Sequence, residues 1–325
     1  MRKLFIFLFI SCHYYFLAAC QGENSNTPNI QENIAGTYYK SLITKDGQDR
    51  NYIVYVPSSV NSREKLALLL VIHGTNQSGQ VFYDKGLWNS KADQEGFIVV
   101  YPTALTYCHF DEGTQRTTTK WAAGDLGESD LQKGGLPLCV GETLRDDMLF
   151  FDELIETLKS EYLVDEKRIY ATGFSNGAQM ASRLAAERSD IFAAITIHAG
   201  NLSEFIPPTL SPNPMSIIVS VGTSDPLFLK KIGFNQPIAI NPDAINIPGV
   251  KSLINPFLSI SGLNSNYTYT ERPYFGKKIG RFHFNSSNVN KENSLDFLLI
   301  EDLQHNYTNI LIDPYWEFLR TKKLQ

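Results

Sequence analysis

Residues 65–72 read K-L-A-L-L-L-V-I, a near-continuous apolar run of the kind required of a strand buried on both faces. Ahead of it, residues 36–44 and 52–56 alternate apolar with polar side chains, which predicts an antiparallel pair ending at Pro57. Behind it the pattern predicts a helix over about 81–94, stopped by Gly96, and a strand over 97–101. Periodicity then disappears from 103 to 141, a Gly- and Thr-rich stretch centred on Trp121-Ala122-Ala123-Gly124; a loop that long inside a compact domain is usually functional. Order resumes where Asp146 and Asp147 cap a helix running to about Tyr162 on apolar Phe151, Leu154, Ile155 and Leu158. A strand through Ile169-Tyr170-Ala171 meets Gly173-Phe174-Ser175-Asn176-Gly177, and a helix to Glu187 follows at once. Residues 191–197 and 215–221 are further apolar strands, 227–293 is a second irregular region, 295–300 a late strand, and 307–319 an amphipathic closing helix. The alternation predicts an α/β fold, a mostly parallel central sheet with helices on both faces.

The first residues carry a different signature. Met1-Arg2-Lys3 is basic, residues 4–17 are apolar, and Leu17-Ala18-Ala19-Cys20 follows, which has the charge, length and small-residue end of a secretory signal over 1–19. The run is shorter than the ~20 residues of a membrane-spanning helix and includes His13 and two tyrosines. L-A-A-C resembles a bacterial lipobox. That resemblance implies cleavage before Cys20, diacylglycerol on its sulfur, and a place in the bacterial cell envelope with the lipid as the only membrane contact. Residues 20–33, polar and rich in Asn, read as a flexible tether, and 34–325 as one domain with insertions near 103–141 and 227–293.

Composition narrows the function classes. At 43% hydrophobic and 19% charged the chain has ample core, and a net charge of −5 gives no electrostatic case for nucleic acid. Cys12 leaves with the signal and Cys20 is the anchor, so Cys108 and Cys139 remain. Export permits a disulfide between them, closing a loop of about 30 residues worth roughly 3 kcal/mol in the chain-entropy picture; two separate buried thiols are the alternative. No C-x-x-C, H-E-x-x-H or EF-hand spacing occurs, so no metal site is expected.

Ser175 is the candidate nucleophile, because a strand–turn–helix with G-x-S-x-G holds its serine hydroxyl clear of the sheet beside the first N–H groups of a helix. Serine is weak at its own pKa and needs a base, which in turn needs a carboxylate to set its tautomer. In open sheets such groups gather at the carboxyl ends of strands. Of the six histidines, His283 and His305 follow both the serine and a strand-end acid; His283 lies within an irregular stretch, whereas His305 lies just past the strand at 295–300 and is the candidate base. Asp225 supplies that acid in the Gly222-Thr223-Ser224-Asp225-Pro226 turn; Asp302 is a rival, and a turn-forming Asp is the plainer reading of Asp225. Asn176 and Thr75 are expected to offer the backbone N–H groups of an oxyanion hole, with His73 holding the loop between strand and Thr75.

Residues 52–57, 70–74, 96–102, 146–150, 164–180 and 192–200 resemble the secreted esterases grouped with polyhydroxybutyrate depolymerases and feruloyl or acetylxylan esterases. The most specific part is V-D-E-K-R-I-Y-A-T-G-F-S-N-G-A-Q-M at 164–180. The resemblance implies an α/β-hydrolase fold, no cofactor, and hydrolysis of small-molecule or polymeric carboxylic esters through an acyl-enzyme: feruloyl or acetyl esters of polysaccharides, or hydroxyalkanoate esters. Members commonly have a Gly-rich turn before the histidine and a tryptophan soon after, where this chain has Leu303-Gln304-His305-Asn306-Tyr307, and many carry cysteine where it has Thr75. A serine peptidase on the same fold and a non-catalytic surface lipoprotein binding glycan or protein are the competing expectations.

Overall fold

The first elements of the described residues are β1 (Gly36–Ile43) and β2 (Asp49–Val56), paired antiparallel, then β3 (Leu66–Ile72). After it come α1 (Gly79–Asp84), α2 (Leu87–Glu95), β4 (Ile98–Pro102) and a hairpin of β5 (Thr106–Asp111) with β6 (Thr114–Thr119). α3 (Asp147–Glu161), β7 (Val164–Phe174), α4 (Asn176–Glu187), β8 (Ala194–His198) and β9 (Ser216–Gly222) follow. α5 (Pro226–Ile232), α6 (Pro248–Ser261), β10 (Thr268–Tyr274), β11 (Lys277–Asn285), β12 (Ser294–Ile300) and α7 (Ile312–Leu319) complete the chain. This computed structural model describes residues 32–127, 135–208, 213–286 and 293–324; the expected export signal, Cys20 and the expected tether through residue 31 lie outside the described residues.

The fold is the α/β-hydrolase type. Ten strands form one sheet in the order β1-β2-β4-β3-β7-β8-β9-β12-β11-β10. β4 to β12 in that order run parallel, flanked by antiparallel pairs at both edges. Every residue of β3, β4, β8, β9 and β12 is buried, which is why their sequences are apolar runs and not alternations. One face is covered by α3, α4 and α6 through side chains such as Phe151, Leu184 and Phe257, the other by α1, α2 and α7 through Phe82, Trp88 and Trp316.

Several elements depart from the sequence pattern. The helix expected over 81–94 is two, divided at Lys85-Gly86, where Gly86 has φ 64°. The region at 103–141 contains the β5–β6 hairpin, whose β6 (T-Q-R-T-T-T) has no buried residue and so lacks the alternation by which a half-buried strand is recognised. Cys108 and Cys139 are joined by a disulfide that ties β5 to the segment returning from this region. The region at 227–293 holds α5, α6, β10 and β11. In α6, Val250, Leu253, Ile254, Phe257 and Leu258 keep helical spacing and are buried, but Pro248, Asn255 and Pro256 give the stretch a loop-like composition. The closing helix begins at Ile312, not 307, because 305–308 is used in the site described next.

The boundary of the tether also shifts. Asn33 is buried, its Nδ2 donating to the carbonyls of Glu64 (2.8 Å) and Leu163 (3.3 Å) while its Oδ1 accepts from the Leu163 N–H (2.8 Å). A side chain so held belongs to the folded body.

Candidate active site

The turn between β7 and α4 is tight because α4 closes directly on the end of β3. A Cβ at Gly177 would lie 2.2 Å from the Ile72 carbonyl oxygen, so only glycine lets the helix start here. Ser175 takes the strain of the turn with φ 55° and ψ −121°, a conformation L-residues seldom adopt, and its N–H donates to the His198 carbonyl at 3.0 Å. The hydroxyl is thereby held at the carboxyl end of β7.

Asp225 and His305 reach it from two neighbouring strands. Gly222 ends β9, and a Cβ there would lie 1.9 Å from the Leu303 carbonyl oxygen. The two turns are clipped together by the Thr223 N–H donating to the Ile300 carbonyl (2.9 Å), the Ser224 N–H to that of Leu303 (3.2 Å), and the Asp302 N–H to the Thr223 hydroxyl (3.0 Å). Asp225 caps α5, its Oδ1 accepting from the N–H groups of Leu227 (2.9 Å) and Phe228 (3.3 Å). The turn-forming reading of Asp225 is therefore also correct, but it occupies only one oxygen. The other, Oδ2, lies 2.8 Å from His305 Nδ1, and His305 Nε2 lies 2.9 Å from Ser175 Oγ. An ionised carboxylate only accepts, so Nδ1 carries the proton, Nε2 is an acceptor, and the serine hydroxyl donates to it. Asp302, the rival acid, is not the partner of His305.

Electrostatics fit that assignment. Burial pushes the Asp225 carboxyl up, but the hydrogen bond and charge of His305 and the two N–H groups outweigh it and hold the pKa below its usual value. Two further histidines are locked neutral. His73 is buried, with Nδ1–H donating to the Gly74 carbonyl (2.7 Å) and Nε2 accepting from the Ala104 N–H (3.0 Å). Desolvation lowers its pKa to about 4, against the Gly74 carbonyl, which favours the proton. It holds the loop that carries Thr75, as expected.

His198, which sequence reasoning passed over, has Nε2–H donating to the Asn306 carbonyl at 3.0 Å and Nδ1 accepting from the Ser220 hydroxyl at 2.7 Å. Desolvation lowers its pKa to about 4 as well. It fixes the backbone immediately after His305. Tyr307 fixes the next residue, buried with its hydroxyl accepting from Trp88 Nε1 at 2.9 Å. These contacts anchor a histidine loop that lacks the glycines and tryptophan of similar sequences. The available signal was position, since His198 ends β8 beside the serine strand. His283 lies on β11, engaged with Asp296 at 2.7 Å.

Thr75 and Asn176 line the same cavity as Ser175 and His305, about 280 Å3 in volume. As the first residue of α4, Asn176 has an N–H with no intrahelical acceptor, and the helix dipole adds positive character there. Its side chain has a second task. Oδ1 accepts from the Trp121 N–H (2.7 Å) and Nδ2 donates to the Trp121 carbonyl (3.3 Å). Next to it the Ala122 N–H donates to Asp147 Oδ2 (2.7 Å), and Asp147 Oδ1 is paired with Arg50 at 2.6 Å, both side chains buried. Asp147 is thus an anchor for the Trp121 loop and not a helix cap, a role that Asp146 alone fills. The remaining wall includes Lys120, Asp125, Gln179 and, from α5, Lys231. Among the described residues no group of His, Cys, Asp and Glu has the arrangement of a metal site.

Comparisons with known proteins agree with this architecture. The prolyl oligopeptidase family, Peptidase_S9, matches residues 143–203, which run from the start of α3 through the elbow to just past β8. A probable acetylxylan esterase A of Neosartorya fischeri is 21% identical over 201 residues, covering 62% of this chain and 47% of that protein. Feruloyl esterase B of Talaromyces funiculosus is 27% identical over 175 residues, 54% of this chain and 39% of that one. The chain thus spans less than half the length of these curated relatives. Among solved structures, an acetyl xylan esterase from Aspergillus awamori superposes with a TM-score of 0.58 at 15% identity, covering 88% of this chain and 99% of that one. An S-formylglutathione hydrolase from Agrobacterium tumefaciens gives 0.55 at 12% identity over 91% and 99%.

Proposed function

We propose that this α/β-hydrolase chain is a serine esterase that cleaves carboxylic esters through an acyl-enzyme. The observation that carries it is His305, bridging Ser175 Oγ at 2.9 Å and Asp225 Oδ2 at 2.8 Å. Ser175 attacks the ester carbonyl while His305 Nε2 takes its proton, and Asp225 keeps Nδ1–H in place and stabilises the imidazolium. The N–H groups of Asn176 and Thr75 stabilise the oxyanion of the tetrahedral intermediate. His305 then returns the proton to the departing alkoxide. In the second half it deprotonates a water that attacks the acyl-serine, and Ser175 is released.

Acetyl and feruloyl esters of polysaccharides are the proposed substrates, because relatives named acetylxylan esterase and feruloyl esterase match 62% and 54% of this chain. Hydroxyalkanoate esters are a further candidate that shares the chemistry. A peptidase reading draws on the Peptidase_S9 match. It is separated by offering an amide and an ester of the same acyl group.

Incubation with a fluorophosphonate probe tests the reaction class. Wild type should be labelled and Ser175→Ala should not; a folded wild type that resists the probe sinks the esterase reading and favours a non-catalytic binding protein. Release of acetate or ferulate from acylated xylan then assigns the substrate. We also propose export and lipid anchoring at Cys20, supported by the basic–apolar–L-A-A-C order of residues 1–20. Metabolic labelling with an alkyne fatty acid should mark wild type and not Cys20→Ser; equal labelling of both excludes this anchor.

A further inference from the structure

We infer that the cavity takes esters bearing a carboxylate close to the scissile bond, and that Lys231 is the side chain that receives it. The inference rests on the esterase reading above and specifies its substrate class. α5 starts at the acid itself. Asp225 is its N-cap, and Leu227, Phe228 and Lys231, spaced to share one helical face, all line the cavity. At 1.5 Å per residue Lys231 lies about 9 Å along the axis from Asp225, and it lines the same cavity as Ser175.

Charge at the wall singles this lysine out. Lys120 is cancelled by Asp125, Nζ to Oδ2 at 2.7 Å, and Asp225 is engaged by His305 and two N–H groups. Asp125 Oδ1 is buried and meets no donor, Lys231 included. Among the described residues no carboxylate forms an ion pair with Lys231; Glu204 acts on it only through its field. Among the described residues Lys231 is therefore the cationic side chain of the cavity wall that has no ion-pair partner. Lys231 is exposed, at the solvent-facing rim of the cavity, and the partial desolvation there lowers its pKa while Glu204 acts in the opposite sense. A carboxylate restores to the ammonium the strong hydrogen-bond acceptor that this desolvation removed. Helix α5 does not require a lysine here for its own dipole, since Lys230 occupies the same last turn and does not line the cavity.

Two matched ester pairs locate the carboxylate. For the acyl side, mono-4-nitrophenyl adipate is compared with 4-nitrophenyl hexanoate; for the alcohol side, 4-acetoxybenzoate with 4-acetoxybenzamide. Wild type should show a KM roughly tenfold or more lower for the anionic member of one pair, as expected of a charged hydrogen bond. The pair that shows it assigns the half of the ester that meets Lys231. Lys231→Met should bring the anionic-to-neutral KM ratio of that pair close to one, and Lys231→Arg should keep most of the advantage. If wild type turns over both members of each pair with equal KM, or if Lys231→Met weakens neutral and anionic esters alike, the carboxylate inference is overturned and the esterase reading stands. A folded wild type that turns over none of the four overturns both.

Discussion

Ser175, His305 and Asp225 depend on one proton being in one place. His305 Nδ1–H points at Asp225 because the carboxylate only accepts, and this leaves Nε2 free to take the serine proton. Asp225→Asn presents an amide that can donate to Nδ1 and stabilise the wrong tautomer. Esterase kcat should therefore fall by about 10³–10⁴, with KM little changed and fluorophosphonate labelling slowed in parallel. A loss smaller than tenfold would mean that another carboxylate orients the histidine. Asn176 illustrates a residue with two tasks. Its N–H, first in α4, has no intrahelical acceptor, whereas its side chain grips the Trp121 backbone, so a side-chain substitution reports on loop position as well as on the proposed oxyanion hole.

Between elements, the decisive contact is the one where the end of β9 meets the loop after β12. Gly222 lies against the Leu303 carbonyl, and Leu303 is two residues before His305. Gly222→Ala places a Cβ where there is no room and pushes the histidine loop away from Ser175. The expected result is a kcat reduced by 10-fold or more, since ~1 Å of misplacement can cost 10²-fold. Retention of full activity by a folded Gly222→Ala protein would show that the loop is positioned by His198 and Tyr307 alone. The same contact holds the histidine loop close to β9 although the loop itself, Leu303-Gln304-His305-Asn306-Tyr307, contains no glycine. The close approach is met from the β9 side.

Across the molecule, buried neutral histidines make stability depend on pH. His73 and His198 each have a pKa lowered to about 4 from 6.5, so between those values the unfolded chain binds a proton that the folded one refuses. Stability must then fall on acidification through this window, by roughly 2–3 kcal/mol per histidine at pH 4.5. Asp225 acts lower down. Its folded pKa lies below the usual carboxylate value, so its contribution is present above that value and is lost only as pH drops through the folded one. Urea unfolding at pH 7, 5.5 and 4.5 should give steadily lower midpoints. A midpoint that stays level down to pH 4.5 would contradict the neutral burial of the two histidines.

Much of this was legible along the chain because burial on both faces leaves a direct trace: β3 is an unbroken apolar run, β9 and β12 are mostly apolar, and the loops that follow them carry Thr75, Asp225 and His305. The order Ser175, Asp225, His305 could be read for the same reason, as polar residues placed at strand ends. The hairpin β5–β6 left no such trace, since β6 packs nothing beneath it, and α6 was masked by the prolines and asparagines within its own apolar stripe. What only the tertiary structure decided are relations between residues far apart in sequence. Asp147 meets Arg50, His198 meets Asn306, and Lys231 reaches the cavity of Ser175. A charged or hydrogen-bonding side chain has no periodicity by which its partner can be found. Local pattern determines which segments must be buried, and only the packing of those segments determines which polar groups meet.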